Sequence, residues 1–333
     1  MRFQSATTKH LIAGLCSGVL LSIAPILINH NVNSLEPPRL TSSAEIRPIG
    51  NPIDPHTLQQ QWIVSPDQAV GLLQQGATLL DARGSNAWNR GVLENSIGVT
   101  WQQFSQQEHP HKGKLLEDEA VLTQKLREIG VFNDRPVVVV ADPANGWGED
   151  GRIVWMLRTL GHRQAVLVDG GYQALVEQAV PVVAQGETIA STPGDFIIRR
   201  TNQWEVDQAE LRRLMNANNI VIVDVREPRE YQGQTPYGES RGGHIPGAIH
   251  LYYRDLLDEQ GNLRSRQELL ALLQQHNITP DQELQVISYC TGGIRSGWFT
   301  AVLTDLGFRA QNYAGSIWEW SAAPVEEYPL QTN

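Results

Sequence analysis

Cysteine is scarce in this sequence, which limits how the fold can be held together. Only Cys16 and Cys290 occur among 333 residues, and Cys16 lies within an apolar N-terminal stretch. Because the rest of the chain has a single thiol, it cannot form an internal disulfide, and a disulfide-stabilised fold is excluded. A lone thiol is either an inert core residue or is kept for its reactivity. The residues around Cys290 decide between these two interpretations.

Positive charge is also in short supply. The chain has 26 Lys and Arg residues against 36 Asp and Glu residues, which gives a formal net charge of -10. No basic run is long enough to follow a phosphate backbone, so we expect no nucleic-acid partner. His109 and His111 lie in a polar segment without a partner at metal-ligand spacing, so we expect no metal site. An anionic small substrate remains compatible with this composition, because a few Arg side chains can gather in one pocket.

Long apolar runs are missing from the sequence except near its N-terminus. Residues 11–28 are uncharged and follow Arg2 and Lys9. A positive flank before an apolar stretch is typical of a signal peptide or a membrane signal-anchor, which we assign to residues 1–30. The sequence does not choose between cleavage and anchoring. We therefore expect export to the periplasm or another extracytoplasmic space, with residues 31–56 as an extended tether and a membrane attachment if the leader stays.

The remaining sequence contains the same pattern twice. The segment Asp81-Ala82-Arg83 ends one apolar run, and Asp224-Val225-Arg226 ends another 143 residues later. Trp62 and Trp204 begin the two copies, and the paired landmarks repeat at offsets of 142 to 146 residues. Offsets this constant are the signature of an internal duplication.

The duplication predicts the domain organisation and the fold class. Short apolar runs alternate with helical stretches in both copies, which indicates an α/β fold. We expect two similar domains, each a parallel sheet with helices on both faces. The first is assigned to residues 57–184, the linker to 185–200 and the second to 201–330.

A short loop in the second copy has the composition of a reactive site. It follows a predicted buried strand, precedes a predicted helix over 297–306, and consists of Cys290, Thr291, Gly292, Gly293, Ile294, Arg295 and Ser296. Backbone N–H groups in such a turn, together with the positive end of the helix, bind an anion and lower a thiol pKa. Two adjacent glycines and an Arg pack poorly in a core, so we interpret Cys290 as a reactive thiolate. Arg295 is expected to add positive charge to the rim.

These residues bring the sequence close to a known family. The matching segments, in chain order, are Asp224-Val225-Arg226-x-x-x-Glu230-Tyr231, Gly243-His244-Ile245-Pro246-Gly247-Ala248-Ile249, the loop from Cys290 to Arg295, and Tyr313-Ala314-Gly315-Ser316-Ile317-Trp318-Glu319-Trp320. From about Trp62 to Pro324 the chain resembles the tandem-domain rhodaneses, the thiosulfate and 3-mercaptopyruvate sulfurtransferases. Two rhodanese-like domains are the fold that this resemblance implies.

The resemblance also implies a reaction. Cys290 would take the outer sulfur of thiosulfate or 3-mercaptopyruvate as a covalent persulfide and pass it to cyanide or a thiol, without a further cofactor. The residues from Thr291 to Ser296 would bind the anionic sulfur. The first domain would be inactive, because Val140-Ala141-Asp142 stands where the second has Ser288-Tyr289-Cys290.

Two departures from the family pattern bear on the donor. Thr291 and Gly292 occupy the loop positions that distinguish the two vertebrate-type subfamilies. Glu230 stands where those subfamilies place an anion-binding Arg. Arg229 or Arg241 could take over that role, or the donor could differ.

Three alternatives compete with small-molecule sulfur transfer. A Cys-x5-Arg phosphatase needs an Arg six places after the Cys, where this chain has Ser296. A non-catalytic binding or sensing module remains open, because many rhodanese-like domains only recognise partners. Delivery of the persulfide to a protein partner remains open as well.

Overall fold

The residues described by the computed structural model are 55–185, 192–280 and 283–332. The predicted leader (1–30) and nearly all of the predicted tether (31–56) lie outside these ranges. The first described element is a helix that begins at Pro55. None of the helices in the described ranges combines the length and the apolar composition of a transmembrane span.

The first half of the chain, residues 55–185, alternates short strands with helices. Its strands are β1 (Ile63–Val64), β2 (Thr78–Asp81), β3 (Val92–Leu93), β4 (Ser96–Gly98), β5 (Val137–Val140), β6 (Ala165–Val168) and β7 (Val182–Val183). Its helices are α1 (Pro55–Gln60), α2 (Pro66–Gln74), α3 (Ser85–Trp88), α4 (Glu119–Glu128), α5 (Glu149–Thr159) and α6 (Gly171–Glu177). A parallel sheet forms in the order β1-β6-β5-β2-β4, and β3 pairs with β7. Every residue of β5 and β6 is buried, as expected for parallel strands covered on both faces.

The second half, residues 192–332, repeats this arrangement with fewer strands. Its strands are β8 (Ile220–Asp224), β9 (Ile249–His250), β10 (Gln285–Tyr289) and β11 (Arg309–Asn312). Its helices are α7 (Gln208–Leu214), α8 (Pro228–Tyr231), α9 (Arg266–Gln275), α10 (Ile294–Asp305) and α11 (Ser316–Ala322). The parallel order is β11-β10-β8-β9. The predicted fold class, two α/β units with parallel sheets and flanking helices, is confirmed.

Local sequence signals set where several helices begin. The Ser65 side chain accepts from the amide of Gln68, whose own side chain accepts from the Ser65 amide. Ser265 and Glu268 form the same reciprocal capping box at α9. Asp118 caps α4 by accepting from two backbone amides. Each cap satisfies amides that the first turn of a helix leaves without partners.

Strand register corrects one detail of the predicted duplication. Asp81 pairs with Val140 in the first sheet, and Asp224 pairs with Tyr289 in the second. Because Asp81 and Asp224 are equivalent, the residues that follow their strand partners are equivalent as well. Ala141 is therefore the counterpart of Cys290 in the first half. The sequence comparison had placed Asp142 there. The error is one residue, because the two loops that follow differ in length and give no fixed point for alignment.

The two halves share a close helix contact. The backbone of α5 lies against α10, and a Cβ atom on Gly151 would come within 2.5 Å of Trp298 Cα. Asp305 at the end of α10 accepts hydrogen bonds from the amides of Trp62 and Ile63, at 2.7 and 3.1 Å. The first half is therefore held against the helix that follows the Cys290 loop.

Candidate active site

Cys290 is the first residue after β10 and is only 1% exposed. Its Sγ atom accepts a hydrogen bond from the backbone N–H of Gly293 at 3.1 Å. Gly293 has a φ of 82° and caps the start of α10. A Cβ atom on Gly293 would lie 2.7 Å from the carbonyl oxygen of Ala314, so both the conformation and the space require glycine. The loop thus directs an amide and the positive end of α10 at the sulfur.

The surroundings of the thiol favour its ionised form. Burial by itself raises the pKa of Cys290, but the positive guanidinium of Arg295 and the polar groups of Ser296 and Gly292 favour the thiolate and outweigh it. The pKa of the thiol therefore lies below its ordinary value. A thiolate is the nucleophilic form of cysteine, so these surroundings favour the nucleophilic form of Cys290.

Arg295, which the sequence led us to expect at the rim of the loop, belongs to a buried cluster. Its Nη1 and Nη2 atoms donate to the two carboxylate oxygens of Glu230, at 2.6 and 2.8 Å. The Thr291 hydroxyl donates to the same carboxylate at 2.6 Å. Arg295 is 3% exposed and Glu230 is 0% exposed. Glu230, which sequence reasoning treated only as a departure, compensates the charge of Arg295.

Neither of the two Arg residues proposed for anion binding lines the cavity at Cys290. The Arg229 side chain is 48% exposed and pairs with Glu227 at 2.6 Å. Arg241 donates to the backbone carbonyls of Trp320, Ser321, Ala323 and Tyr328. Arg241 therefore fastens the C-terminal segment to the end of α11. Both candidates have other partners, a distinction that spacing along the chain does not reveal.

A cavity of about 270 Å³ opens onto Cys290. Its lining residues are Trp101, Gln102, Lys112 and Trp147 from the first half, and Tyr237, Cys290, Thr291, Ile294, Arg295 and Trp318 from the second. Of the predicted loop, Gly292, Gly293 and Ser296 lie behind this surface. Gly292 packs against the Trp318 ring, which leaves no room for a side chain. The predicted loop supplies the floor, and aromatic side chains supply most of the walls.

A segment of the first half crosses to the second half beside this cavity. We call residues 105–115 the strap. Lys114 Nζ donates to Glu319 Oε1 at 2.7 Å, and His111 Nδ1 lies 3.2 Å from the same oxygen. The Tyr313 hydroxyl donates to the other oxygen of Glu319 at 2.9 Å. The strap is thus fixed to α11.

Lys112 is the strap residue that faces the cavity. Its Nζ atom lies 4.6 Å from the centre of the Trp318 ring. The His109 ring meets the same indole edge-on, with 5.4 Å between ring centres. Sequence reasoning missed Lys112, and the only available signal was a basic residue beside glycine in a His- and Lys-rich segment.

The loop of the first half that corresponds to the Cys290 loop is longer and carries no thiol. Six residues separate Ala141 from Gly148, which caps α5, whereas two separate Cys290 from Gly293. The longer loop brings Trp147 to the cavity wall, where it packs edge-on against Tyr237 with 5.1 Å between ring centres. The first half therefore contributes a wall residue of the cavity from the loop that corresponds to the Cys290 loop.

Arg152 of α5 supports the Cys290 loop from behind. It is 1% exposed and donates to the carbonyl of Gly293 at 3.2 Å and to Ser105 Oγ at 3.1 Å, and it also contacts the carbonyl of Gly113. Burial lowers the pKa of Arg152 to about 10, while the charges of Glu205 and Cys290 act in the opposite direction. Arg152 is thus a residue of the first half that is coupled electrostatically to Cys290 of the second. The sequence signal for the role of Arg152 was a charged residue beside the apolar residues of a helix.

Comparison with protein families agrees with the duplicated fold. The model of the rhodanese-like domain matches the chain twice, at residues 65–178 and 207–323. Each match covers most of one parallel sheet and its helices, and the first match begins just after β1.

Known proteins with similar sequences and structures point the same way. A thiosulfate sulfurtransferase of Pseudomonas aeruginosa is 31% identical over 74% of this chain and 88% of its own length. The sulfur carrier protein TtuD of Thermus thermophilus is 30% identical over 59% of this chain and 71% of its own. The 3-mercaptopyruvate sulfurtransferase from Leishmania major superimposes with a TM-score of 0.67 at 19% identity, over 81% of this chain and 76% of that structure.

Proposed function

Because the chain belongs to the family of proteins with rhodanese-like domains, we propose that it is a sulfurtransferase whose nucleophile is Cys290. One observation carries the proposal: a buried thiol with a lowered pKa accepts the Gly293 N–H and opens onto a cavity. Backbone N–H groups and a nearby guanidinium stabilise negative charge on sulfur, as a persulfide carrier requires. The names of the relatives from Pseudomonas and Thermus support the same class of reaction.

In the first step, the Cys290 thiolate attacks the outer sulfur of the donor. With thiosulfate, an S–S bond forms at Sγ while the S–S bond of the donor breaks, and the electron pair leaves with sulfite. With 3-mercaptopyruvate, the C–S bond breaks, and the carbon takes up a proton to give pyruvate. The Gly293 N–H remains in place to stabilise the new persulfide anion.

In the second step, an acceptor attacks the terminal sulfur of the persulfide. Cyanide is converted to thiocyanate, and a thiol is converted to a persulfide. The electron pair of the broken S–S bond stays on Sγ, which regenerates the Cys290 thiolate. No redox partner is needed, because a neutral sulfur atom is transferred in both steps and each leaving group keeps the electron pair of the broken bond. The carrier in this scheme is the covalent persulfide, without a further cofactor.

We assign the chemistry to the second half alone. Ala141, the equivalent of Cys290, has no atom that can bind sulfur, so the first half is proposed to be catalytically silent. The apolar N-terminal segment supports a further part of the proposal, that the protein works in an extracytoplasmic space, either free or attached through its leader.

The test is sulfane-sulfur transfer by the full chain with thiosulfate or 3-mercaptopyruvate as donor and cyanide as acceptor. Cys290→Ser should abolish turnover, and Cys16→Ser, which removes the other thiol, should retain it. Mass spectrometry should find one added sulfur on Cys290 in the donor-treated protein. If a folded sample loads no sulfur from either donor, the proposal fails and a binding module takes its place. If sulfur loads but reaches neither cyanide nor small thiols, the acceptor is a protein.

A further inference from the structure

The charges around the cavity single out Lys112. Two cationic side chains line the cavity, and Arg295 is already engaged by the Glu230 carboxylate. In the described part of the chain, no carboxylate lies within ion-pair distance of Lys112. Lys112 is therefore the lining cation whose charge is left for a ligand.

Counting the charges near the sulfur gives the ligand charge that fits. Arg295 is paired with Glu230, and the charge of Glu205 acts on Arg152, so Lys112 is the lining cation left to offset both the Cys290 thiolate and a ligand. A monoanion adds the smallest negative charge to this balance. A dianion would place a second negative charge beside the buried thiolate, where an uncompensated charge is costly.

The walls of the cavity give the shape that fits. Four aromatic side chains line it, namely Trp101, Trp147, Tyr237 and Trp318. Its volume of about 270 Å³ is close to the lower limit of roughly 300 Å³ for small-molecule pockets. Aromatic walls favour a flat apolar body, which packs against their faces and edges. Inorganic thiosulfate has no such body.

We propose that Lys112 binds the anionic group of the sulfur donor and that the aromatic walls select an organic monoanion of the aromatic thiosulfonate class. This inference rests on the sulfurtransferase function proposed above. The Cys290 thiolate would form an S–S bond to the terminal sulfur of the thiosulfonate. The bond from that sulfur to the sulfonyl group would break, and the electron pair would leave with the sulfinate. The step needs no oxidant or reductant.

Three sulfur donors distinguish the effect of donor charge from the effect of donor shape. Benzenethiosulfonate and methanethiosulfonate carry one negative charge and differ in the ring, whereas thiosulfate carries two charges and has no organic body. With cyanide as acceptor, kcat/KM of the full chain should be highest for benzenethiosulfonate and lowest for thiosulfate. If thiosulfate has the highest kcat/KM, the inference is overturned.

Two variants test the residues. Lys112→Met should lower kcat/KM about 10- to 100-fold for both thiosulfonates, mainly through KM, because a charge-assisted contact is lost. Lys125→Met, the same change on α4, should leave it unchanged. Transfer from preloaded Cys290 persulfide to cyanide should stay the same in Lys112→Met, which a merely misfolded variant would not show. Trp147→Leu should lower kcat/KM about 10-fold for benzenethiosulfonate and leave methanethiosulfonate within about 2-fold.

The outcomes distinguish this inference from the function on which it rests. If no donor loads Cys290, the sulfurtransferase proposal itself fails. If Cys290 loads with sulfur but Lys112→Met turns over all donors like the wild type, the donor-binding role of Lys112 is refuted and the sulfurtransferase proposal stands.

Discussion

Replacing Glu230 with Gln should have opposite effects on stability and on thiol acidity. The carboxylate is 0% exposed and accepts three hydrogen bonds of 2.6 to 2.8 Å, two from Arg295 and one from Thr291. Gln has nearly the same shape but no charge, so Arg295 would stay buried without its counter-charge. The positive field at Cys290 would then increase. We expect the thiol pKa to fall further while the folded state loses stability.

The size of the stability loss follows from the burial of the pair. Removing one partner of a buried ion pair costs about 3–5 kcal/mol, because the remaining charge is left uncompensated. Burial raises the pKa of Glu230, but the hydrogen bonds and charge of Arg295 outweigh it and hold this pKa below its usual value. The contribution of Glu230 is therefore present at neutral pH and is lost as the pH falls through that lowered pKa. Wild type and variant should accordingly converge in stability at acid pH.

Urea unfolding and thiol alkylation measure the two effects. With a slope of about 3 kcal/mol per M, the urea midpoint at pH 7 should drop by about 1 to 1.7 M. The midpoint of the pH profile for iodoacetamide alkylation of Cys290 should move to lower pH. Glu210→Gln, which breaks an exposed pair with Arg213, should cost less than about 0.5 kcal/mol and leave the alkylation profile unchanged. A Glu230→Gln protein with wild-type stability, or with a higher thiol pKa, would refute the reasoning.

Two further substitutions probe buried charges of α5. Burial, reinforced by the charge of Glu149, raises the pKa of Asp150 to about 7, so the folded state loses stability as pH rises from about 4 to 7. At 1.36 kcal/mol per pKa unit, Asp150→Asn should be more stable than wild type by at most about 4 kcal/mol at pH 8 and similar to it at pH 4, as urea midpoints at both values will show. A difference that does not change with pH contradicts this. Arg152→Met should raise the thiol pKa of Cys290 and slow its alkylation at pH 7, and an unchanged alkylation profile would rule out the coupling.

Much of the fold was accessible from the sequence because its signals are local. Apolar runs ending in Asp-x-Arg predicted an interior strand of each sheet. Both carboxylates bind the Arg two residues later, in the second copy through Arg226 Nε and Nη2. The Cys290 loop was recognisable for the same reason, since its glycines, nucleophile and helix are contiguous.

The rest of the candidate site depends on contacts between distant parts of the chain. Lys112 and Trp147 lie far from Cys290 in sequence and face it only because the two halves pack through α5 and α10. The sequence shows that Glu230 departs from the family pattern. It does not show the bond between Glu230 and Arg295, because these residues are 65 positions apart. The carbonyls that occupy Arg241 are invisible in the sequence because every residue has one. Only the geometry of the folded chain assigns these partners.

The residues of the site that can be substituted lie in a different segment of the chain from the residues that cannot. The Cys290 loop tolerates little variation, because Gly292 and Gly293 are in contact with a ring and a carbonyl that leave no space for a side chain. Trp101, Lys112 and Trp147 are free of that constraint, since they approach the sulfur from another part of the chain. The residues that set the reactivity of Cys290 and the residues proposed to select the sulfur donor are therefore encoded in different segments of the gene. A library confined to residues 101–147 could alter which molecules are accepted while the nucleophile keeps its acidity.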